Sequence, residues 1–558
     1  MATDGLERLR RNQSPEPKAQ SGEDGTPAAR LIEGGVQTLN YSDHGRGVAA
    51  FLDRHGADVT GVISGWDRLR LQGTLRALYM REVMNAYLWN AKLAWKDFKA
   101  HLCEVTEHIR TAAATIAADA ARPVLYLRGT PRKEALIEQI RRRDRIDEGL
   151  VAVLSAVEPC RTWFVRGNRQ ERKLQLEMGW GKCTHLYFYL VHPVFGLMQL
   201  RLQTWFPFLV HVGLNGREWL ARQMEAAGIA FERADNCFTR IDQVQRAQQL
   251  CDEQLQMNWA EALSPLIEQY HPTHRLIHAI MPVDYYWTAA ETEHATDVMF
   301  RDRASLTRIY PALVHHSIMS FGAEQVLGFL GRATPGKSEV KTDRRRREPG
   351  VRVKHWVDEN SLKLYDKGSV LRSEVTINEP AGFTVYRTAE GKPKGKKAWR
   401  PLRRTVVDLP RRAQVSRAAS ERHLGALAAV NHDQPLRETV ADLCRPVTRE
   451  GKRFRALRPF DPFDQAVIAA LNRADWTLHG LRHADLRNAL AHDLPAGLTD
   501  AQMAGRISRL LRLLRAHRLI AKIGHTHRYR VTAKARLSAT ALMAAAAAST
   551  PQLTRLAA

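Results

Sequence analysis

Little in this chain suits a secreted, membrane-spanning or zinc-stapled protein. Its six cysteines (Cys103, Cys160, Cys183, Cys237, Cys251 and Cys444) are scattered through 558 residues, with no CxxC pair and no Cys/His cluster at zinc-ligand spacing. That argues against a disulfide scaffold and a zinc finger, and fits reduced thiols in a cytosol. The most apolar tract, ALMAAAAA at 541–548, is too short to span a bilayer. The opening MATDGLERLRRNQ carries charges where a signal peptide needs an apolar run. A cytoplasmic protein without a membrane partner is therefore expected. No Walker loop, dinucleotide fingerprint, serine elbow or zinc-protease motif occurs.

Negative charge is also scarce. Lys plus Arg number 84 against 59 Asp plus Glu, a formal charge of +25, and a polyanionic partner is the simplest reason for such an excess. Free use of arginine accounts for part of it, but not for where the arginines sit. The length suits two to four domains. Residues 1–43 are rich in Gly, Pro, Ser and charge without hydrophobic periodicity, which predicts a disordered arm. An α/β body follows over 44–331, with a strand at 58–75, helical spacing over 76–121, strands at 184–191 and 196–214 closed by Asn215-Gly216, and helices through much of 289–332. The stretch 332–350 reads as a basic linker or loop in which Arg344, Arg345, Arg346 and Arg347 repel one another unless phosphates relieve them. Strands and a helix over 351–435 complete the body. A connector at 436–459 leads to a domain at 460–540 and a flexible tail at 541–558. The expected class is α+β: a mixed body with antiparallel strands, then a winged-helix domain.

In the last domain the order of signals is helix (463–473), helix (478–490), longer helix (499–517), strand (519–523), polar turn, strand (528–532). On the long helix Ile507, Leu510, Leu511 and Leu514 share one arc, while Arg506, Arg509 and Arg512 share the other. His525, His527 and Arg528 place donors on the turn. This stretch resembles the winged helix-turn-helix domains of bacterial DNA-binding regulators, which implies that the long helix lies in the major groove.

Between 361 and 378, SLKLYDKGSVLRSEVTIN forms two alternating runs around a turn containing Gly368. Leu362, Leu364, Leu371, Val375 and Ile377 share one face. Lys363, Tyr365, Lys367, Arg372, Glu374 and Thr376 share the other, read as a polar outer surface, with Arg352 and Lys354 on a neighbouring strand. This pair resembles the tyrosine-lysine and arginine-x-glutamate strands of rolling-circle replication initiators. The resemblance implies a nicking tyrosine, Tyr365, with Lys363, Lys367 and Arg372 stabilising charge and Glu374 orienting the tyrosine or a metal. A His-hydrophobic-His triplet on a strand, part of that family's pattern, is missing here. Through EPCRTWFVRGN (158–168), RLQTWFPF (201–208), LNGREWLARQM (214–224), RADNCF (233–238) and ETEHATDVMF (291–300), the chain also resembles a widespread bacterial family with no settled activity.

Two further rows, Arg68-Arg70-Gln72 after Trp66 and Gln199-Arg201-Gln203 before Trp205, suit a surface that grips phosphates and stacks bases. Two of Trp205, Phe206 and Phe208 are expected in the core. Asp67, Asp284, Glu293, Asp297 and Glu374 are carboxylates that would bind Mg²⁺ or Mn²⁺ if the fold gathered them. The alternative places Glu293 and Asp297, at i,i+4 spacing, in ordinary helix ion pairs with nearby arginines. The expected function is DNA binding, as in a DNA-processing protein of a mobile element or replicon, replication-initiator-like or transposase-like. A winged-helix transcriptional regulator without catalysis, or an RNA-binding protein, is the alternative.

Overall fold

Extended segments recur along most of the chain as far as Ile377, and their product is one eleven-stranded sheet. The computed structural model describes residues 45–550 except 129–131, 169, 171, 333–338, 348–349, 392–393, 429–435, 473–475, 477–479 and 524–525; the expected arm at 1–43 lies outside them. The sheet comprises β1 (Val59–Thr74), β2 (Val124–Tyr126), β3 (Gly149–Asn168), β4 (Lys173–His192), β5 (Gly196–Gln203), β6 (Val210–Asn215), β9 (Tyr286–Phe300), β10 (Val340–Arg346), β11 (Val351–Val357), β12 (Asn360–Asp366) and β13 (Val370–Ile377). A separate hairpin, β7 (Phe231–Ala234) and β8 (Cys237–Ile241), lies against its middle, and β14 (Thr384–Arg387) and β15 (Ala398–Pro401) form a second two-stranded ribbon. The order is β10-β11-β12-β13-β9-β1-β6-β5-β4-β3-β2, and every pair but β2–β3 is antiparallel. With its helices this is the α+β class expected.

Three local expectations are corrected. Residues 286–300 form the strand β9, not a helix; the helix begins at Arg303, capped by the Asp302 side chain on Ser305 N. Thr288, Thr292, Thr296 and Val298 favour a pleated surface, and β9 pairs on both sides, with β1 and β13, so its backbone groups are satisfied. The basic stretch is no linker over 340–346, where it forms the edge strand β10. There alternation sends successive arginines to opposite faces, Asp343 pairs with Arg345 and Arg352, and charge blunts an edge that would otherwise recruit another strand. The candidate strand 196–214 is two strands, β5 and β6, and Asn215-Gly216 closes the second by starting a helix: Asn215 caps Gly216–Ala226 by accepting from Arg217 N and Glu218 N. A Cβ on Gly216 would lie 2.2 Å from the Trp66 carbonyl oxygen.

Helices cover the two halves of the sheet unequally. One core gathers β1, β4, β5 and β6 with the helices Arg81–Asn90, Phe98–Asp119, Gly216–Ala226 and Trp259–Tyr270; Phe206 and Phe208 lie wholly inside it and Trp205 at its margin. A second packs the helices Arg46–His55, Arg303–Ser320 and Leu409–Leu427 over the Leu362, Leu364, Leu371, Val375 face.

Beyond them a third core unites the helices Pro462–Leu471, His483–Ala489, Asp500–Ala516 and Ala533–Ala547 with a three-stranded sheet, β18 (Leu481–Arg482), β19 (Ile520–Lys522) and β20 (Arg528–Val531), in the order β18-β20-β19. The expected connector is structured: the ribbon β16 (Val447–Arg449) and β17 (Lys452–Phe454) adjoins this unit, and Val440, Leu443 and Leu457 enter its core. The expected tail is helical as far as Ala547. No helix among the described residues is long and apolar enough to cross a membrane.

Candidate functional site on the polar face of the sheet

Residues paired across an antiparallel ladder project from the same face. The register therefore collects what the sequence shows only as separate rows. Arg352, Tyr365, Arg372 and Asp297 lie side by side on β11, β12, β13 and β9, and Lys354, Lys363 and Glu374 form the row beside them. Thr376 stands next to Glu293, and Glu293 next to Arg68 on β1. Gln72, His211 and Arg201 carry the face across β6 to β5. A bulge between Trp66 and Arg68 leaves Asp67 out of the ladder and turns its carboxylate toward Glu293 and Glu374. One oxygen from each of these three acids lies within 4.8 Å of the others.

This centre is buried, not the polar outer surface expected: Lys363, Arg372 and Glu374 are at most 5% exposed. The β7–β8 hairpin reaches over part of it, where the Asn236 carbonyl accepts from Arg372 Nη2 at 2.7 Å and Asn236 Nδ2 donates to Asp67 at 2.9 Å. Arg372 also forks onto Asp297 at 2.7 and 2.9 Å and reaches Asp67 at 2.6 Å. Arg217 meets Asp297 at 3.0 Å and the Ala295 carbonyl at 2.9 Å. Lys363 Nζ donates to Glu293 at 2.8 Å and also to Glu374.

Four carboxylates thus face three buried cations, Lys363, Arg372 and Arg217. The surplus falls on Glu374. Its burial, opposed by Lys363 but reinforced by Asp67 and Glu293, pushes its pKa up to about 7. Asp297, buried, and Glu293, half-buried, go the other way: Arg217 and Arg372 hold Asp297 low, and Lys363 holds Glu293 low, against the desolvation of each. Burial works against the Lys363 charge, yet Glu374 and Glu293 more than offset it and raise its pKa.

The same surroundings overturn the expected activation of Tyr365. Burial and then the Glu374 charge raise its pKa, and Lys363 and Arg352, which act to lower it, only partly offset them. Lys367 turns to Asp235 at 3.3 Å. Around the centre lies a more open rim. Arg68 is exposed 3.9 Å from Glu293, Lys354 sits 3.0 Å above the Trp356 ring, and Arg70 and Arg404 border a 470 Å³ groove beside Trp356. Burial, then Lys363 and Arg352, bring the Lys354 pKa down to about 8.

Other expected residues lie elsewhere. Arg201 joins a separate cluster through Glu158 at 2.8 Å, and Arg344–Arg347 are exposed at the sheet edge and the turn after it. Asp284 is remote from the acidic centre, beside His274 and His278. Arg506, Arg509 and Arg512 are exposed opposite buried Ile507, Leu510, Leu511 and Leu514, as expected, and with Arg453 and Arg455 they line a 740 Å³ groove against the β16–β17 ribbon. His527 is exposed and Arg528 half-buried; His525 lies outside the described residues.

Sequence reasoning missed Arg217, Asn215 and Asn236. They belong to the LNGREW and RADNCF segments quoted above, and Glu293 and Asp297 to ETEHATDVMF, so three of those segments meet at this centre. Comparison with family models, curated proteins and solved structures finds no match to the chain, and all three family resemblances rest on the residues quoted for them.

Proposed function

We propose that the protein binds nucleic acid, DNA in the first place, on the polar face of the sheet and acts on its phosphodiester backbone with a divalent cation held by Asp67, Glu293 and Glu374. The observation that carries this reading is the surplus carboxylate at the floor of a basic-rimmed face. Mg²⁺ or Mn²⁺ would balance that charge and displace the proton from Glu374, while Arg68, Arg70, Lys354 and Arg352 lie where a phosphate backbone would run.

The helix order and the β18-β20-β19 sheet of the C-terminal unit support a winged helix whose arginine-bearing helix enters the major groove. A cytoplasmic DNA-processing protein of a mobile element, akin to replication initiators or transposases, combines these parts. RNA would engage the same face through phosphates and Trp356.

A second reading draws on the completeness of the Lys363 and Arg372 pairings, which suit a structural network in a regulator that binds without cutting. Labelled single- and double-stranded DNA, incubated with wild type and Glu293→Gln in Mg²⁺ or Mn²⁺, separates the two. Metal-dependent cleavage by wild type alone, with binding retained in the variant, supports chemistry at the trio. Binding without cleavage in either supports the regulator. Tyr365→Phe then decides the nucleophile, because a covalent adduct lost in this variant alone requires the hydroxyl. Binding should weaken by about 10³–10⁵ between roughly 50 and 200 mM salt if six to ten phosphates are contacted, and a flat titration overturns the nucleic-acid reading.

A further inference from the structure

We infer that His274, His278 and Asp284 form a binding site for a divalent transition-metal ion, separate from the acidic centre and independent of the function proposed above. The two histidines are one helical turn apart on the helix Thr273–Ile280, so both rings leave the same face. The chain then turns back through Met281–Tyr285 and brings Asp284 alongside them. One donor atom from each of the three lies within 4.8 Å of the others.

One of these separations is already that of a shared coordination sphere. His278 Nδ1 is 3.5 Å from Asp284 Oδ1, and metal bonds of about 2.0–2.2 Å place neighbouring donors of a tetrahedral ion roughly 3.3–3.6 Å apart. His274 Nε2 and His278 Nδ1 lie 2.9 and 3.2 Å from the Val283 carbonyl oxygen, which supplies a fourth donor. Two imidazoles with one carboxylate select zinc, nickel, copper or cobalt over magnesium or calcium, which prefer an all-oxygen set.

His274 is held in place against the Tyr285 ring, with centroids 5.1 Å apart, and the Tyr285 hydroxyl donates to the Phe208 carbonyl. The same ring nitrogens can donate to the Val283 carbonyl when no ion is bound, so an ion competes with two hydrogen bonds and affinity is moderate. Bound, it would tie the helix Thr273–Ile280 to the start of β9, the strand that carries Glu293 and Asp297.

Calorimetric titration of the full-length protein with Zn²⁺ tests the site, with metal content measured after gel filtration. Wild type should bind one more equivalent than the His274→Ala/His278→Ala double variant, and zinc should raise the melting temperature of wild type alone. Asp284→Asn alters an exposed side chain, so it keeps the fold intact and should weaken zinc binding at least about tenfold. Glu293→Gln should retain this equivalent, which separates it from any ion at the acidic centre. Equal stoichiometry in wild type, the double variant and Asp284→Asn overturns the inference, as does loss of the equivalent in Glu293→Gln alone.

Discussion

The sheet face and the C-terminal unit both carry rows of cations but hold them in opposite ways. On the sheet, Lys363 and Arg372 are buried and each answers two carboxylates. On the helix Asp500–Ala516, Arg506, Arg509 and Arg512 stand in solvent over an apolar seam, and no ion pair between them and an acid is found among the described residues. A buried charge must be matched inside the fold, because desolvating it alone costs several kcal/mol. An exposed one leaves the fold indifferent and is free for a partner. Stability should therefore be sensitive to the first set, and binding to the second.

The hardest test of that contrast is Arg372→Ala. It leaves Asp67 and Asp297 buried beside a missing guanidinium, and should cost about 3–5 kcal/mol, read as a large drop in the denaturant midpoint of the body. A loss below about 1 kcal/mol would mean that water or a cation enters and the centre is not closed. Next in size is replacement of Arg506, Arg509 and Arg512 together by Ala. DNA affinity should fall by about 1–3 kcal/mol for each arginine that reads a base, while the melting transition moves by no more than about 0.5 kcal/mol per site. Unchanged footprints would remove this helix from the groove and leave recognition to the sheet.

The pH dependence of stability sharpens the comparison further. Glu374 has its pKa raised from the ordinary 4.5 to about 7, so between those values the folded chain holds a proton that the unfolded chain has released. Its contribution is complete below about pH 4.5 and is lost as pH rises through 7. Asp297 and Glu293, whose pKa values are lowered, contribute in the opposite sense, losing stability as pH falls. Denaturant midpoints of wild type and Glu374→Gln should thus diverge across that window, with the variant lacking the decline on the alkaline side. Parallel curves would show that Glu374 is ionised throughout. Smallest is Thr499→Ala, which removes the hydroxyl that accepts from Gln502 N at 3.3 Å and should cost about 1 kcal/mol without altering DNA binding by the sheet.

Much of the local order was legible. The helix Asp500–Ala516 has the boundaries and the opposed faces its spacing predicts, and the alternation of 361–378 is that of β12 and β13. Where reading failed, two periodicities competed. ETEHATDVMF offers acids at i,i+4 as well as β-branched residues at i,i+2, and pairing with β1 and β13 decides for the strand. The arginine run at 344–347 looked unpackable because sequence shows four charges in a row, whereas the pleat separates them and Asp343 pairs with Arg345.

The sequence by itself determined the basic surplus, the apolar and polar sides of individual strands and helices, and the turn at Gly368. These depend on neighbours a few residues apart. Which polar face would be buried was decided only by the tertiary structure. Asp67, Glu293 and Glu374 lie far apart along the chain and come within 4.8 Å because β1, β9 and β13 are adjacent and a bulge turns Asp67 inward. Burial then reverses the outcome that sequence suggests, since desolvation and the Glu374 charge raise the Tyr365 pKa more than Lys363 and Arg352 lower it.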